Sequence, residues 1–241
     1  MKISEHMLAS HTRFRTPYYM IKGKSAGPTV IMTAGVHGNE IASIRAAEQW
    51  LNKFRQKELT ITRGTLLLVP IFNQAAYKQR VRGKPDLNRT FPKSAGAAAE
   101  HPLSRDLFGL AEKLLPDWYI DLHEANGLSS VNPKRLGQTL ITNTGSKAIP
   151  AVKRIISKMN SGISEPTRHF TVRLKHKEGT GRTAASRLLH AKAVTVETCW
   201  SLPLTTRIHY QSRIVHYLLE EAGLIDVIQY NRLKSKANRK R

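Results

Sequence analysis

Five apolar runs of strand length recur along the chain, at Val30 to Ala34, Thr65 to Phe72, Trp118 to Leu122, Thr139 to Thr142 and Ala193 to Val196. Their unbroken hydrophobicity predicts strands covered on both faces. Phe170, Val172 and Leu174 alternate with polar residues instead, which predicts a strand nearer a sheet edge. Helical spacing falls between these runs. Ile41, Ile44, Ala47, Leu51 and Phe54 form one apolar stripe, Leu103, Leu107, Leu110 and Leu114 a second, and Val152, Ile155, Ile156 and Met159 a third. Further helices are expected over Arg182 to His190 and from about Thr205 to Ala222. Strand and helix alternate nearly throughout, so the expected architecture is α/β, a three-layer α/β/α sandwich. No internal repeat and no Gly/Ser linker divides the chain, and residues 1–225 are expected to form a single domain. The stretch Asn73 to Ala99, rich in Gly, Pro and Arg, reads as a functional loop.

Composition narrows the class. With 241 residues, 40% hydrophobic and 23% charged, the chain is long enough to bury a substantial core and is not expected to be disordered. No apolar run approaches bilayer length, and the opening MKISEHMLASHTRFRT lacks the apolar stretch of a secretory signal. A cytoplasmic location is therefore expected. Cys199 is the single cysteine, which excludes an internal disulfide and a cysteine-rich metal site. Any metal must be held by His and carboxylate ligands. The net charge of +22 points to attraction for nucleic acid, anionic lipid, cell-wall polymer or small acidic substrates. Residues 226–241, with the run NRLKSKANRKR, read as a basic C-terminal tail that accounts for part of it. The remaining basic residues are spread out and not interleaved with aromatics, which speaks against nucleic-acid binding as the main role.

The chemistry gathers at the expected strand ends. His37 and Glu40 follow an apolar strand and open a helix, with Gly35 and Gly38 permitting a tight turn. An imidazole and a carboxylate at this spacing can converge on one divalent ion such as zinc. Glu40 would also be favoured at a helix N-terminus without any metal. His123 closes the buried run Trp118-Tyr-Ile-Asp-Leu-His, where α/β proteins place ligand sites. Asp121, on the same strand face, is placed to orient an imidazole. Glu124 is an alternative ligand, though its side chain should point to the other face. Two His and one carboxylate leave a fourth position for water, and Glu197, at the end of another buried strand, is the candidate general base. Asn88 and Arg89 offer amide and guanidinium donors suited to a substrate carboxylate. Arg80 and Arg82, just upstream, are both placed to polarise a scissile carbonyl.

Taken together these residues resemble the zinc carboxypeptidase clan, and most closely its succinylglutamate desuccinylase/aspartoacylase branch. The ordered set is H-G-N-E at His37 to Glu40, N-x-x-A at Asn73 to Ala76, D-L-N-R at Asp86 to Arg89, I-D-L-H at Ile120 to His123 and T-V-E at Thr195 to Glu197. It spans residues 28 to 200. The resemblance implies one zinc ion per chain on His37, Glu40 and His123, with Glu197 as base and proton shuttle. It also implies Asn88 and Arg89 on a substrate carboxylate, an upstream arginine at the scissile carbonyl, and a mixed eight-stranded sheet between helices. The expected activity is hydrolysis of an amide bond beside a free carboxylate, in an N-acyl amino acid or a peptide. Two features depart from the clan. After the helix following Glu197 little chain remains for the β-domain that narrows the aspartoacylase pocket. Nor does a tyrosine match the one that covers substrate in carboxypeptidases, since Tyr210 falls on an expected helix.

Other classes fit less of the chain. A non-enzymatic module for acidic polymers or nucleic acid would use the +22 charge and would bind independently of Glu197 and metal. A cysteine or serine hydrolase is a third class; Cys199 shares a strand face with Glu197, yet no obvious His partner adjoins it. Phosphate-loop readings fail at Gly23-Lys24-Ser25, which lacks the upstream glycine, and at Gly179-Thr-Gly181, which is too short.

Overall fold

Eight strands pair into one mixed sheet in the computed structural model, which describes residues 1–225; the basic tail expected at 226–241 lies outside the described residues. The strands are β1 (Lys2–Leu8), β2 (Thr16–Lys22), β3 (Ser25–Ala34), β4 (Arg63–Val69), β5 (Trp118–Ala125), β6 (Thr139–Thr142), β7 (Thr171–Leu174) and β8 (Lys192–Cys199). Their spatial order is β1-β2-β4-β3-β5-β8-β6-β7. The centre, β4-β3-β5-β8, is parallel, while β1, β2 and β6 run antiparallel to their neighbours on the β4 or β8 side. β7 forms the far edge, as its alternating pattern predicts.

Side-chain alternation sends each central strand's residues to two cores. Val30 and Met32 of β3, Trp118 and Ile120 of β5, and Val194 and Val196 of β8 face α1 (Ile41–Arg55), α4 (Ile149–Asn160) and α6 (Leu204–Glu221). Ile31, Tyr119 and Ala193 face α3 (Pro102–Leu114) and α5 (Gly181–Leu188). This is the expected three-layer sandwich. Trp50 and Phe54 of α1 are wholly buried, and each such side chain contributes on the order of 2–3 kcal/mol through burial. Among the described residues no helix is long and apolar enough to cross a membrane.

The structure departs from the sequence pattern at three places. β1 and β2 are not among the apolar runs; they alternate or mix polar residues because β1 is an edge strand with most of its side chains exposed or half-buried. The stretch Asn73 to Ala99 is not wholly loop. It contains α2 (Gln74–Gln79), whose free N-terminus is capped by the Asn73 side chain accepting from the Ala76 amide at 3.1 Å, and a 3-10 turn over Leu87–Arg89. Gly35 serves the turn after β3 with φ of +67°, but Gly38 serves a different purpose. A Cβ there would lie 2.0 Å from the carbonyl carbon of Ala76, so Gly38 lets the loop lie against α2.

Candidate functional site

The parallel strands β3, β5 and β8 all end on one side of the sheet, and the candidate residues collect there. His37 and Glu40 lie in the loop from β3 to α1, while His123 and Glu197 are register neighbours on β5 and β8. Parity with Tyr119 and Ala193 turns both toward the α3/α5 layer.

One carboxylate joins the two imidazoles. Glu40 Oε1 lies 2.6 Å from His37 Nδ1, and Oε2 lies 2.8 Å from His123 Nδ1. The opposite ring nitrogens are each held by another carboxylate, His37 Nε2 by Asp86 at 3.0 Å and His123 Nε2 by Asp121 at 2.9 Å. Asp121 is fixed in turn by the Thr33 hydroxyl, which donates to it at 2.7 Å. When each ring carries its proton on Nε2, toward Asp86 or Asp121, the Nδ1 atoms beside the Glu40 oxygens are left free to bind a cation. One ligand atom from each of His37, Glu40 and His123 lies within 4.8 Å of the others, and all three residues are buried. Two imidazoles, neutral once an ion displaces their inward protons, and a carboxylate suit a borderline divalent cation, so the donor set fits the expected metal.

Electrostatics bear the marks of this crowding. Burial works to raise the Glu40 carboxyl, but the His123 and His37 rings outweigh it and bring it down to about 2. For His123, burial disfavours the charge, yet Asp121 and Glu40 overcome that and hold the ring well above the ordinary imidazole range. Burial lifts Glu197 to about 8; His123 opposes the rise, and the Glu40 and Asp121 charges add to it. Oε2 of Glu197 is buried with no hydrogen-bond partner among the described residues.

These groups open into a cavity of about 280 Å³ lined by Arg82, Asn88, Arg89, Arg182 and Trp200 along with the three candidate ligands and Glu197. Asn88 places its amide nitrogen 3.3 Å from His123 Nε2, and an Arg89 guanidinium nitrogen donates to the Asn88 carbonyl. Arg82 donates to Asp86 at 2.9 Å and reaches within 3.4 Å of His37 Nδ1. Arg80 does not enter the cavity: it caps α2 in a left-handed conformation, and its guanidinium lies 3.9 Å from the Tyr77 ring centroid. Of the two upstream arginines, the structure brings Arg82 to the site.

Glu124, the alternative ligand, is turned to the other face. It accepts from the Ala42 amide at 2.7 Å and from Arg207 at 2.5 Å, so it satisfies a free amide at the start of α1 while Glu40 attends to the histidines. Tyr210 packs edge-on against Phe170 in the α4/α6 core, away from the cavity. Cys199 is buried, with Sγ 3.1 Å from the Ser201 hydroxyl. Three site residues escape the sequence reading. Asp86 enters it only as the first letter of D-L-N-R, Arg182 is concealed as one more cation on an amphipathic helix, and Trp200 lies just past the last motif. Arg182 is buried, and one of its guanidinium nitrogens donates to the Asn143 side-chain oxygen.

Comparison with known proteins agrees with this geometry. Residues 26–213 match the succinylglutamate desuccinylase/aspartoacylase catalytic domain. The chain is similar to an N-alpha-acetyl-L-2,4-diaminobutyric acid deacetylase of Halomonas elongata, with 26% identity over 121 residues, 48% of this chain and 34% of that protein. Its fold is similar to a product-bound cell shape determinant protein of Helicobacter pylori (TM-score 0.73, 20% identity, 86% of this chain and 55% of the other). It is also similar to an aspartoacylase family protein of Mesorhizobium loti (TM-score 0.66, 18% identity, 93% of this chain and 68% of the other). The chain thus spans about a third of the curated relative and about half of the Helicobacter pylori chain. With the match running from β3 into α6 and the motif residues converging on one cavity, the chain belongs to the succinylglutamate desuccinylase/aspartoacylase family.

Proposed function

We propose that the protein is a zinc-dependent hydrolase of an amide bond beside a free carboxylate, in a small N-acyl amino acid or a peptide. The observation that carries this reading is the Glu40 carboxylate shared by the Nδ1 atoms of His37 and His123, with a Glu197 oxygen in the same cavity that has no hydrogen-bond partner among the described residues. His37, Glu40 and His123 would hold the ion. When bound, zinc supplies a charge that polarises the scissile carbonyl and makes water acidic enough to lose a proton near neutral pH.

The chain's own residues do the rest. Asn88 and Arg89 offer an amide and a guanidinium to the substrate carboxylate, which sets the amide bond within the cavity. Glu197 takes the proton from water and passes it to the departing amine. Besides burial, the Glu40 and Asp121 charges help keep Glu197 protonated, so neutralising charge at His37, Glu40 and His123 with an ion held there would favour its base form. Arg82 donates toward the charge that develops on the carbonyl oxygen. Asp86 and Asp121 fix the two imidazoles from behind.

The test compares the wild type with Glu197→Gln for zinc content and for turnover of N-acyl amino acids and short peptides. Both proteins are expected to hold about one zinc ion, and the variant to lose on the order of 10²–10⁴ in kcat. Folded protein that takes up no zinc and hydrolyses neither substrate class in its presence would falsify the reading. Turnover retained in Glu197→Gln would remove Glu197 from the base role.

A further inference from the structure

The positive charge of this chain is not confined to its tail. Residues 226–241 hold six cations and one carboxylate, so +17 of the +22 lies within residues 1–225. Part of it gathers at the cavity mouth, where Arg82, Arg89, Lys175 and Lys177 all contribute to the lining. These cations sense one another: burial first, then repulsion from Arg89 and Lys175, brings Lys177 below the ordinary lysine range.

From the mouth the charge continues as a row. Arg173, Lys175 and Lys177 alternate along β7 and the extended segment after it, where the Lys175 amide donates to the Thr142 carbonyl at 2.9 Å. The Arg173 guanidinium reaches the carbonyls of Pro133 and Arg135. The Arg135 stem packs against Gly127, where an added Cβ would lie 2.6 Å from its Cγ, and the neighbouring Asn126 lines the cavity. Arg135, Lys175 and Lys177 are exposed. Among the described residues no carboxylate lies within 4.0 Å of the charged groups of these four cations. The nearby acids are otherwise placed: Asp86 on Arg82 and His37, Glu178 at 3.8 Å from His176, Glu40 on His37 and His123, and Glu124 on Arg207, while Glu197 lines the same cavity.

We propose that the substrate is the C-terminal end of an acidic peptide, whose Glu or Asp side chains lie along Arg135, Arg173, Lys175 and Lys177. The inference rests on the hydrolase reading above and selects the peptide over the small N-acyl amino acid. Alternate residues of an extended chain repeat at roughly 6.6 Å, so cations on alternate residues match carboxylates on alternate residues of an extended peptide. A polynucleotide fits less well. The segments 126–136 and 171–178 contain no Phe, Tyr or Trp on which a base could stack, and the phosphodiester backbone has no amide to cut. In the reaction the oxygen of water joins the last peptide carbonyl carbon and the C–N bond breaks. The proton passes through Glu197 to the departing amine, leaving a shortened peptide and a free amino acid.

The test uses the full zinc-loaded chain. Binding of fluorescent oligoglutamate, a Ser/Gln peptide of equal length, and oligothymidylate is measured on Glu197→Gln, and turnover of the two peptides on the wild type. Oligoglutamate is expected to bind at least about tenfold more tightly than the neutral peptide, with a preference that declines as salt rises. The double change Arg135→Glu, Lys175→Glu, and its milder form with Gln at both positions, should lower the ratio of kcat/KM for acidic over neutral peptide by about tenfold or more. Equal binding of the two peptides, or an unchanged ratio in folded variants, overturns the proposal. So does tighter binding of oligothymidylate than of oligoglutamate. Selective, charge-dependent binding of oligoglutamate without hydrolysis of any amide would instead overturn the hydrolase reading and leave the row's selectivity standing.

Discussion

At the scale of single residues, Glu197 offers the sharpest handle, because its environment makes stability depend on pH in a direction opposite to that of an ordinary carboxylate. Its folded value is raised to about 8 by burial, against an ordinary value of 4.5. Above pH 4.5 the unfolded chain loses this proton while the folded chain keeps it, so stability is lost as pH rises from about 4.5 to about 8. Glutamine has no proton to lose. In metal-free protein, Glu197→Gln is therefore expected to melt close to the wild type near pH 4.5 and several degrees above it near pH 8. Thermal denaturation followed by circular dichroism across that range checks this. A difference that does not change with pH would show that Glu197 titrates normally in the fold. Residues of this kind were only partly legible in the sequence. His37, Glu40, His123 and Glu197 stand at strand ends, where the pattern of apolar runs draws attention to them. Asp86 does not, because it lies 49 residues from the histidine it holds, inside a stretch without periodicity. Arg182 is hidden for another reason: sequence periodicity marks which side of a helix is apolar, and a buried guanidinium breaks that rule.

At the scale of elements, the central strands were legible because both of their faces are covered, so nearly every position is apolar. β1 and β2 were not, since the strand state of β1 is set by pairing, with seven residues in register from Lys2 opposite Lys22 to Leu8 opposite Thr16. Likewise α2 is too short for a periodic stripe, and its place is determined by the loop that packs on it. This contact carries a prediction. Gly38→Ala puts a methyl group into the Ala76 carbonyl, and overpacking against backbone costs about 1–3 kcal/mol or more. The expected result is a lower melting temperature together with weaker metal binding, because His37 and Glu40 flank the displaced residue. Gly109→Ala is the natural comparison. A Cβ at Gly109, within α3, meets nothing within 4 Å, and replacing a helical glycine with alanine should stabilise by about 0.5–1 kcal/mol. Should both changes destabilise alike, steric approach at Gly38 would not be what distinguishes the two positions.

At the scale of the whole molecule, the layers hold together a site that its own charges disfavour. Glu40, Asp86, Asp121 and Glu197 converge on two histidines at the ends of β3, β5 and β8, the strands on which both cores depend. A dication among these carboxylates relieves their repulsion in the folded state and finds no assembled counterpart in the unfolded chain, so binding stabilises the fold by mass action. At a free ion concentration of one hundred times Kd the gain is about 2.7 kcal/mol. For a chain of this size that corresponds to a rise of roughly 5–10 °C in melting temperature. Zinc added to chelator-treated protein is expected to produce this shift, and chelator to reverse it. Calcium should produce far less, because it seeks six to eight oxygen ligands and two of the three donors here are imidazoles. The site residues report the same linkage. His37→Ala should abolish the zinc-dependent shift, since it removes one of the two inward-facing Nδ1 atoms, whereas Arg80→Ala should preserve it, because Arg80 lies over Tyr77 outside the cavity. Equal shifts with zinc and calcium, or a zinc shift that survives His37→Ala, would mean that the ion binds to scattered surface carboxylates and not to the group of His37, Glu40 and His123.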